Sequence, residues 1–375
     1  MPDFLIAPLD IAPEFPWLMP LFAALFGACV GSFLNVVIYR LPRGLSVSHP
    51  SRSFCPACGA AIPWYLNVPL LSWLLLRGRA ACCGARITAR YWWVELLTAG
   101  LFAALVWSFG MEPLPVVLLL ALWVALMLTC LFIDAELMIV LPGLAVAAAL
   151  VGLAAVWCEP LLADAQALEP WEGCVASLVG AGGGFALFAL VALAGRLLFG
   201  TKKKRFDAPQ CWRVRQAADG EDIELQVGEE SLLWSTLFNE PKNRLRLLGA
   251  TEAAHAPQAA ELILSATELR LPSGKSIPLE QVEELSGTCC GYQWRREAMG
   301  SGDAWLAMAI GALCGWQGVV FALVGGSILG LLMAAVQRVG FGRPMPFGPA
   351  LISAALLWLF AGETLMMHYE QLWGL

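Results

Sequence analysis

Eight apolar segments divide this chain of 375 residues, and they most limit how it can fold. Hydrophobic residues make up 59% of the sequence and charged residues only 14%, and the mean hydropathy is +0.70. A helix needs roughly 20 apolar residues to cross a hydrocarbon core, and most segments approach that length, although one is short. We therefore predict an all-α polytopic membrane protein of about eight transmembrane helices. The segments lie near residues 17–41, 92–110, 114–134, 142–158, 174–199, 304–316, 317–337 and 348–368.

The charges between the first two segments predict how the chain is oriented. Residues 42–90 contain six arginines and no acidic residue, so the positive-inside rule places this loop in the cytoplasm. The tail over residues 1–16 is then external. That tail has acidic residues but no Lys or Arg, so it lacks the basic region of a secretory signal. We expect the first apolar segment to remain as a membrane anchor.

The composition changes between residues 200 and 299, which hold 13 basic and 15 acidic residues. Alternating runs such as AELILSATELRLPSGKSIPLE, with a Pro-Ser-Gly turn signal, predict a small soluble β-rich insert. The basic run KKKR at 202–205 places it in the cytoplasm. The alternative is a solvated spacer without chemistry of its own.

Four of the twelve cysteines stand apart, because they occur in two close pairs within the arginine-rich loop. Cys55 and Cys58 form a CPAC turn, and Cys82 and Cys83 follow after about two dozen residues. A reducing compartment disfavours disulfides and makes thiolate ligation of zinc plausible. The adjacent second pair is an unusual spacing, so free thiols in a loose loop remain the alternative.

Two aspartates lie at the ends of apolar segments that this topology brings to the cytoplasmic face. Asp134 ends the third segment, and Asp303 begins the sixth, just after Gly300 and Gly302. Each must be paired, protonated or at a water-lined boundary to be tolerated there. The two glycines give the permissive backbone that a cleft for an extended peptide requires. Alternatively, either aspartate alone could serve as a helix N-cap.

Two adjacent carboxyl groups share one proton, which leaves one acid and one base at neutral pH. The ionised group can take a proton from water while the protonated group polarises a carbonyl. This pairing would fit peptide hydrolysis. An ion- or proton-coupled transporter would also keep intramembrane carboxylates, but no internal repeat is visible in the sequence.

Six ordered blocks resemble the bifunctional type IV prepilin peptidases, which process proteins of pilus and type II secretion systems. Apart from the insert, the resemblance covers nearly the whole chain. The blocks are GSFLNVVIYRLP (31–42), CPACGAAIPWYLNVPLLSWLLLRGR (55–79), RYWWVELLTA (90–99), FIDAELMIVLP (132–142), GSGD with AIGALCGW (300–316) and PMPFGP (344–349).

The resemblance implies that Asp134 and Asp303 are the catalytic pair of a GxGD-type aspartic protease. Such enzymes remove a short basic leader after a glycine from prepilins and pseudopilins at the cytoplasmic face of the bacterial inner membrane. Many then methylate the new N-terminus with S-adenosylmethionine. The resemblance associates that second activity, and a zinc site of four cysteines, with the first cytoplasmic loop. It implies the lipid bilayer as surroundings and no nucleic-acid partner.

The resemblance also divides the chain into an N-terminal domain with the cysteine loop (17–110) and a peptidase domain in two parts (111–199 and 300–375). The insert (200–299) separates those two parts, and the external tail (1–16) precedes them.

Three positions depart from the family pattern. Ala80 stands where the second cysteine pair usually begins, with Cys82 as a substitute ligand. Trp305 replaces the usual Lys after GxGD, and Gly143 replaces Asp in the LPD sequence. Neither aspartate is altered, whereas a catalytically inactive assembly factor should have lost one.

Overall fold

A computed structural model of the chain separates into two compact units. The first contains Met1–Phe188, Gly302–Arg338 and Met345–Leu375, and the second contains Ala189–Ser301 and Val339–Pro344. Residues 1–14 of the predicted external tail lie outside the described residues. The structure describes residues 15–49, 53–55, 57–111, 113–163, 169–199, 201–216, 223–228, 230–237, 244–252, 260–265, 268–270, 276–278, 284–295, 300, 302–337 and 345–373.

Helices account for every predicted apolar segment. Short 3₁₀ turns at Leu41–Arg43, Trp64–Leu66 and Pro160–Leu162 join some of them. The helices are α1 (Leu18–Arg40), α2 (Leu71–Leu75), α3 (Arg90–Phe109), α4 (Leu114–Leu137), α5 (Pro142–Cys158), α6 (Pro170–Phe199), α7 (Trp234–Leu237), α8 (Gly302–Val336) and α9 (Gly348–Trp373).

Among the described residues, five helical segments are long and apolar enough to cross a membrane. They are Leu18–Arg43, Arg90–Phe109, Leu114–Leu137, Pro170–Gly195 and Gly302–Val336, and the apolar helices Pro142–Cys158 and Gly348–Gly362 are shorter. Large apolar side chains such as Phe22, Leu118 and Leu331 point outward and are more than half exposed, as lipid-facing residues would be. The prediction of a mostly helical chain with segments of membrane-spanning length is confirmed.

Helix α8 contains a break at Gly315, where φ is 63° and ψ is −170°. Only glycine adopts this conformation readily. The break falls one residue before the last residue of predicted segment 304–316, close to its predicted boundary with segment 317–337. The two predicted segments are therefore consecutive parts of one interrupted helix.

Helices α4, α5, α8 and α9 pack as a closed group, because α4 and α8 each contact both α5 and α9. The indole N–H of Trp123 in α4 donates to the carbonyl of Ala309 in α8 at 3.3 Å. Helix α6 approaches α8 closely, since a Cβ added at Gly180 would lie 2.5 Å from the carbonyl oxygen of Gly311. Small residues permit such close helix packing within a membrane, where the hydrophobic effect does not drive helices together.

In the second unit, the described residues form an antiparallel sheet of eight strands in the order β3-β2-β1-β8-β4-β5-β6-β7. The prediction of a β-rich insert is confirmed. The strands are β1 (Thr201–Gln216), β2 (Ile223–Val227), β3 (Glu230–Leu233), β4 (Arg244–Glu252), β5 (Ala260–Leu264), β6 (Glu268–Arg270), β7 (Ser276–Pro278) and β8 (Glu284–Arg295).

One face of this sheet forms the core of the insert. Alternate residues of β1, such as Trp212 and Val214, are buried together with Leu225, Leu245 and Leu262 from other strands. In β1 and β4 the residues beside them, such as Arg213, Arg215 and Arg246, are charged and exposed, which gives the alternation expected of a half-buried strand. A register shift between Arg205 and Gln210 interrupts the pairing of β1 with β8.

Candidate active site

Asp134 lies in the last turn of α4 and is 5% exposed. Met138 ends this helix in the left-handed conformation, with φ of 53°, and its N–H donates to the carbonyl of Asp134 at 2.8 Å. The chain therefore turns away just after the carboxyl group.

Asp303 lies in the first turn of α8 and is 8% exposed. An acidic side chain is favoured at this position because the N-terminal end of a helix carries partial positive charge. The two carboxyl groups are close enough to interact electrostatically. The structure thus brings together the two aspartates that the sequence predicted to be partners, from helices far apart in the chain.

The first residue of α9, Gly348, holds one member of this pair. Its N–H donates to Oδ2 of Asp134 at 3.0 Å in a buried hydrogen bond. A Cβ added at Gly348 would lie 2.5 Å from the same oxygen. Only glycine therefore lets α9 begin against the carboxyl group. Sequence reasoning gave Gly348 no role, although it belongs to the quoted block PMPFGP.

The two glycines of the GSGD motif, Gly300 and Gly302, lie in different compact units. Gly302 begins α8 against Val140, and a Cβ added there would lie 2.7 Å from Cβ of Val140. Gly300 is partly exposed and belongs to the second compact unit. The sequence predicted that these glycines allow close approach of the backbone. In the structure, Gly302 makes such an approach, to Val140.

Trp305, which replaces the usual lysine, packs its ring edge-to-face against Phe185 of α6 with centroids 5.0 Å apart. Aromatic pairs at this distance and angle are stabilising. The side chain therefore contributes to packing between α6 and α8, one helical turn from the start of α8.

A second cluster is formed by Cys55, Cys58, Cys82 and Cys83, whose sulfur atoms all lie within 4.8 Å of one another. Cys58 and Cys82 sulfurs are 3.4 Å apart, and those of Cys55 and Cys83 are 3.8 Å apart. Four sulfurs at about 2.3 Å from one zinc ion would require separations of this order.

Two turns with the same hydrogen-bond pattern present these cysteines. In the first, Cys55 N–H donates to the carbonyl of Ala60, and Gly59 N–H donates to the carbonyl of Cys55, both at 2.8 Å. In the second, the Ala80 N–H donates to the Ala85 carbonyl and the Gly84 N–H to the Ala80 carbonyl, also at 2.8 Å.

This correspondence places Ala80 at the position of Cys55, and Cys83 at the position of Cys58. Cys82 occupies the place of Ala57, yet its sulfur still joins the cluster. The substitution at Ala80 thus leaves four sulfurs together.

The thiols of the cluster differ in acidity. The backbone N–H groups of Cys58 and Ala57 lower the pKa of Cys55 to about 7. The hydrogen bond with Cys58 raises the pKa of Cys82, an exposed residue, to about 12. A metal ion must displace the thiol protons, because thiolates are the form that binds zinc.

Comparison with known proteins then decides the family. Residues 25–109 match the profile of the bacterial peptidase A24 N-terminal domain, and residues 274–335 match that of the type IV leader peptidase family. A prepilin leader peptidase/N-methyltransferase of Dickeya chrysanthemi is 36% identical over 51% of this chain and 71% of its own length. This chain belongs to the type IV leader peptidase family.

Other relatives of the same name extend the family match. The Aeromonas hydrophila protein is 28% identical over 96% of this chain and 97% of its own length. The Myxococcus xanthus protein is 42% identical over 48% of this chain, and the match spans about half (51%) of that relative. No solved structure matches this chain.

The type IV leader peptidase profile includes Asp303, and the N-terminal profile includes all four clustered cysteines. Asp134 lies outside both matched ranges, so its place beside Asp303 in the structure is an independent observation. The predicted family resemblance is confirmed.

Proposed function

We propose that this chain removes the leader peptide of type IV prepilins or pseudopilins by cleavage after a glycine. The observation that supports this most strongly is the buried pair Asp134 and Asp303, with Gly348 N–H fixing one carboxyl group, in a member of the leader peptidase family. Such a pair can divide the acid and base roles that hydrolysis requires.

In this mechanism Asp134 is the ionised member, because it already accepts a hydrogen bond that a carboxylate accepts strongly. Asp134 takes a proton from water as the water oxygen attacks the scissile carbonyl carbon. Asp303 gives its proton to the carbonyl oxygen. Collapse of the tetrahedral intermediate breaks the C–N bond: the leaving amine takes the proton from Asp134, and one hydroxyl of the intermediate returns a proton to Asp303.

We propose that the same chain then methylates the new N-terminal amine, as the names of its relatives indicate for those proteins. S-adenosylmethionine would supply the methyl group from its sulfonium. The chain's own residues would bind the donor and keep the amine neutral and close to it.

We propose that Cys55, Cys58, Cys82 and Cys83 hold one zinc ion that fixes the fold of the loop between α1 and α3. Four thiolates in a reducing compartment are a typical structural zinc site. The ion would supply stability rather than catalysis, since all four positions are filled by protein ligands.

We propose that this multi-pass protein lies in the bacterial inner membrane with all eight apolar segments within the bilayer, the two parts of α8 counted separately. Residues 42–90 and the insert would be cytoplasmic and the tail external. We retain domain boundaries at 17–110, 111–199, 200–299 and 300–375.

The proposal is tested by incubating the purified chain in detergent with a prepilin that has a Gly-Phe junction. We expect release of the leader and a mature product that begins at Phe, which N-terminal sequencing would identify. An intact prepilin after prolonged incubation with a folded, zinc-loaded enzyme would contradict the proposal.

For the zinc site, we expect about one equivalent of zinc in freshly purified protein and its loss in a Cys55→Ser, Cys58→Ser double variant. Thiolate ligation makes the pair indispensable, because the remaining two sulfurs cannot complete the tetrahedral set. Elemental analysis by mass spectrometry measures the content. The matched control is Cys211→Ser with Cys290→Ser, two exposed cysteines of the insert. Equal zinc in both double variants would refute this ligand set.

The topology is tested with single-cysteine variants and a membrane-impermeant maleimide. A chain that keeps only Cys211, exposed in the insert, should react only after the membrane is opened. A cysteine-free chain with Trp107→Cys, at the outer end of α3, should react in intact spheroplasts, since that side chain is 69% exposed. Reaction of Cys211 in intact spheroplasts would overturn the orientation.

A further inference from the structure

The basic run KKKR at 202–205 lies at the start of strand β1, directly after a helix of membrane-spanning length. Strand β1 begins at Thr201, two residues after α6 ends at Phe199. The last turns of α6 and the sheet belong to the same compact unit. Four residues of extended chain span at most about 14 Å, so Lys203 lies within that distance of the end of α6. If α6 crosses the bilayer as proposed, the start of β1 lies close to the bilayer surface.

Alternation along β1 separates the charges of this run onto the two faces of the sheet. Lys204 points to the core face, where its ammonium pairs with Glu230 and lies 5.6 Å from the ring centre of Phe206. Phe206 packs against the apolar core on that side. Lys203 and Arg205 flank Lys204 and therefore point to the opposite face, where both are exposed.

Strand register adds two arginines of β4 to the same face. Residues directly opposite each other in neighbouring antiparallel strands point to the same side of a sheet. Lys203 lies opposite Gln293 of β8, which in turn lies opposite Arg246 of β4. Arg244 precedes Arg246 by two residues and shares its direction, and both side chains are exposed. Lys203, Arg205, Arg244 and Arg246 thus form one basic face, two strand spacings or about 10 Å wide.

Three of the four basic residues have no partner of opposite charge among the described residues. They are Lys203, Arg205 and Arg244. The next acid along β1, Asp207, lies in the irregular part of the strand and forms no ion pair in the described structure. The residues in register with the basic face carry no negative charge. They are Gln293, Gly291, Arg295 and Ile263. Like charges held together in this way attract a dense anionic surface.

The other arginines on the exposed side of β1 have different surroundings. Arg215 pairs with Glu224 at 3.0 Å. Arg213 lies opposite Ser286 of β8, seven positions from Gln293, or about 24 Å in an extended strand. Exposed charges this far apart are screened from each other, since the Debye length is about 8 Å at physiological salt. The basic face is therefore a local feature of the end of the sheet next to α6.

We propose that the basic face binds the headgroup phosphates of anionic phospholipids and holds the insert against the bilayer surface. Guanidinium groups bind phosphate oxygens through two parallel hydrogen bonds, and lysine adds a flexible point charge. Each basic residue near such a surface strengthens the attraction about fivefold. This binding rests on the proposed membrane placement and is independent of the proposed cleavage chemistry.

The position of the basic face favours lipid phosphate over other polyanions. A nucleic acid or an acidic protein would have to arrive from solution, whereas α6 would keep the bilayer beside the strand. A tethered partner has a higher effective concentration than a free one of the same chemistry. The test therefore includes a soluble polyanion as a competing occupant.

The test measures acylation of Lys203 by an uncharged N-hydroxysuccinimide ester in the full-length chain, reconstituted in lipid nanodiscs. Tandem mass spectrometry separates Lys203 from its neighbour Lys204. We expect Lys203 to react at least about threefold more slowly in discs with about one third phosphatidylglycerol than in discs of phosphatidylcholine alone. Salt at about 1 M should remove this difference, because the Debye length falls to about 3 Å. Lys204, on the core face, should react equally in both lipids.

Two double variants remove equal charge from different parts of the sheet. Arg205→Gln with Arg244→Gln should raise the reactivity of Lys203 in phosphatidylglycerol discs to near its value in phosphatidylcholine. Arg213→Gln with Arg215→Gln is the matched control and should keep the wild-type protection. All four arginines are exposed, so neither pair of substitutions disturbs the core of the insert.

An unchanged acylation rate at Lys204 in each variant shows that the sheet is folded, because β1 places Lys204 beside Glu230. If a variant fails this criterion, the lipid and salt dependence of Lys203 in the wild type decides the proposal by itself.

Several results would overturn the proposal. One is equal acylation of Lys203 in the two lipids, and another is equal slowing of Lys203 and Lys204, which reports a general effect of the charged surface. Loss of protection in both double variants would show that net charge, rather than the basic face, is responsible. Stronger protection of Lys203 by duplex DNA added to phosphatidylcholine discs than by phosphatidylglycerol would assign the face to nucleic acid instead.

Discussion

Asp134→Asn and Asp303→Asn are each expected to lower prepilin cleavage by at least about 10²–10⁴-fold while leaving membrane insertion intact. An amide has nearly the shape of a carboxyl group, but it can neither take a proton from water nor give one to the scissile carbonyl. General acid-base catalysis contributes a factor of this size. The measurement is leader release by the purified variants under single-turnover conditions.

Asp207→Asn is the matched control, since it makes the same chemical change at an exposed position of β1 in the insert. It should cleave at the wild-type rate. Zinc content reports whether each active-site variant is folded. Near-normal turnover in either Asp134→Asn or Asp303→Asn would show that the two-aspartate mechanism is wrong.

The positions of the helices could be read from the sequence because each apolar run satisfies a local requirement. The predicted segment 142–158 coincides with α5, and 114–134 lies within α4. The helical break at Gly315 lies one residue from a predicted boundary. The pairing of the strands could not be predicted from the sequence. Strand β1 pairs with β8, which lies at the other end of the insert, and alternation alone does not specify so distant a partner.

The candidate site was also predictable from the sequence only in part. Asp134 and Asp303 could be proposed as partners because topology places helix ends at a common face, and the structure brings them together. The hydrogen bond from Gly348 to Asp134 joins residues 214 positions apart. No local pattern reveals it, since a glycine before a proline at a helix start has ordinary local explanations.

The contact between α1 and α3 shows a further limit of sequence reasoning. Asn35 looks unremarkable within an apolar helix. Only the packing of α3 against α1 shows that its Oδ1 has no hydrogen-bond partner among the described residues. Cys82 is a contrasting case. Its sulfur was predicted as a substitute ligand, but the equivalence of the two turns appears only in their backbone hydrogen bonds.

Gly348→Ala is expected to reduce cleavage by about two orders of magnitude, although alanine is the better helix former. The added Cβ would lie 2.5 Å from Oδ2 of Asp134 and 3.0 Å from Cδ1 of Leu306. Either the start of α9 or the carboxyl group must move, and the 3.0 Å hydrogen bond is then lost. Misplacement of a reacting group by about 1 Å can cost about 10²-fold in rate. The rate of leader release measures the effect.

Gly143→Ala provides the comparison, because Gly143 also lies in the first turn of an apolar helix, and a Cβ there would meet no atom of the described residues within 4 Å. The two variants differ in the contact that the new methyl group makes, so a general effect of alanine at helix starts would appear in both. Wild-type cleavage by Gly348→Ala would mean that Asp134 does not need its backbone donor. In that case the ionised role assigned to Asp134 would lose its structural basis, even if both aspartates proved essential.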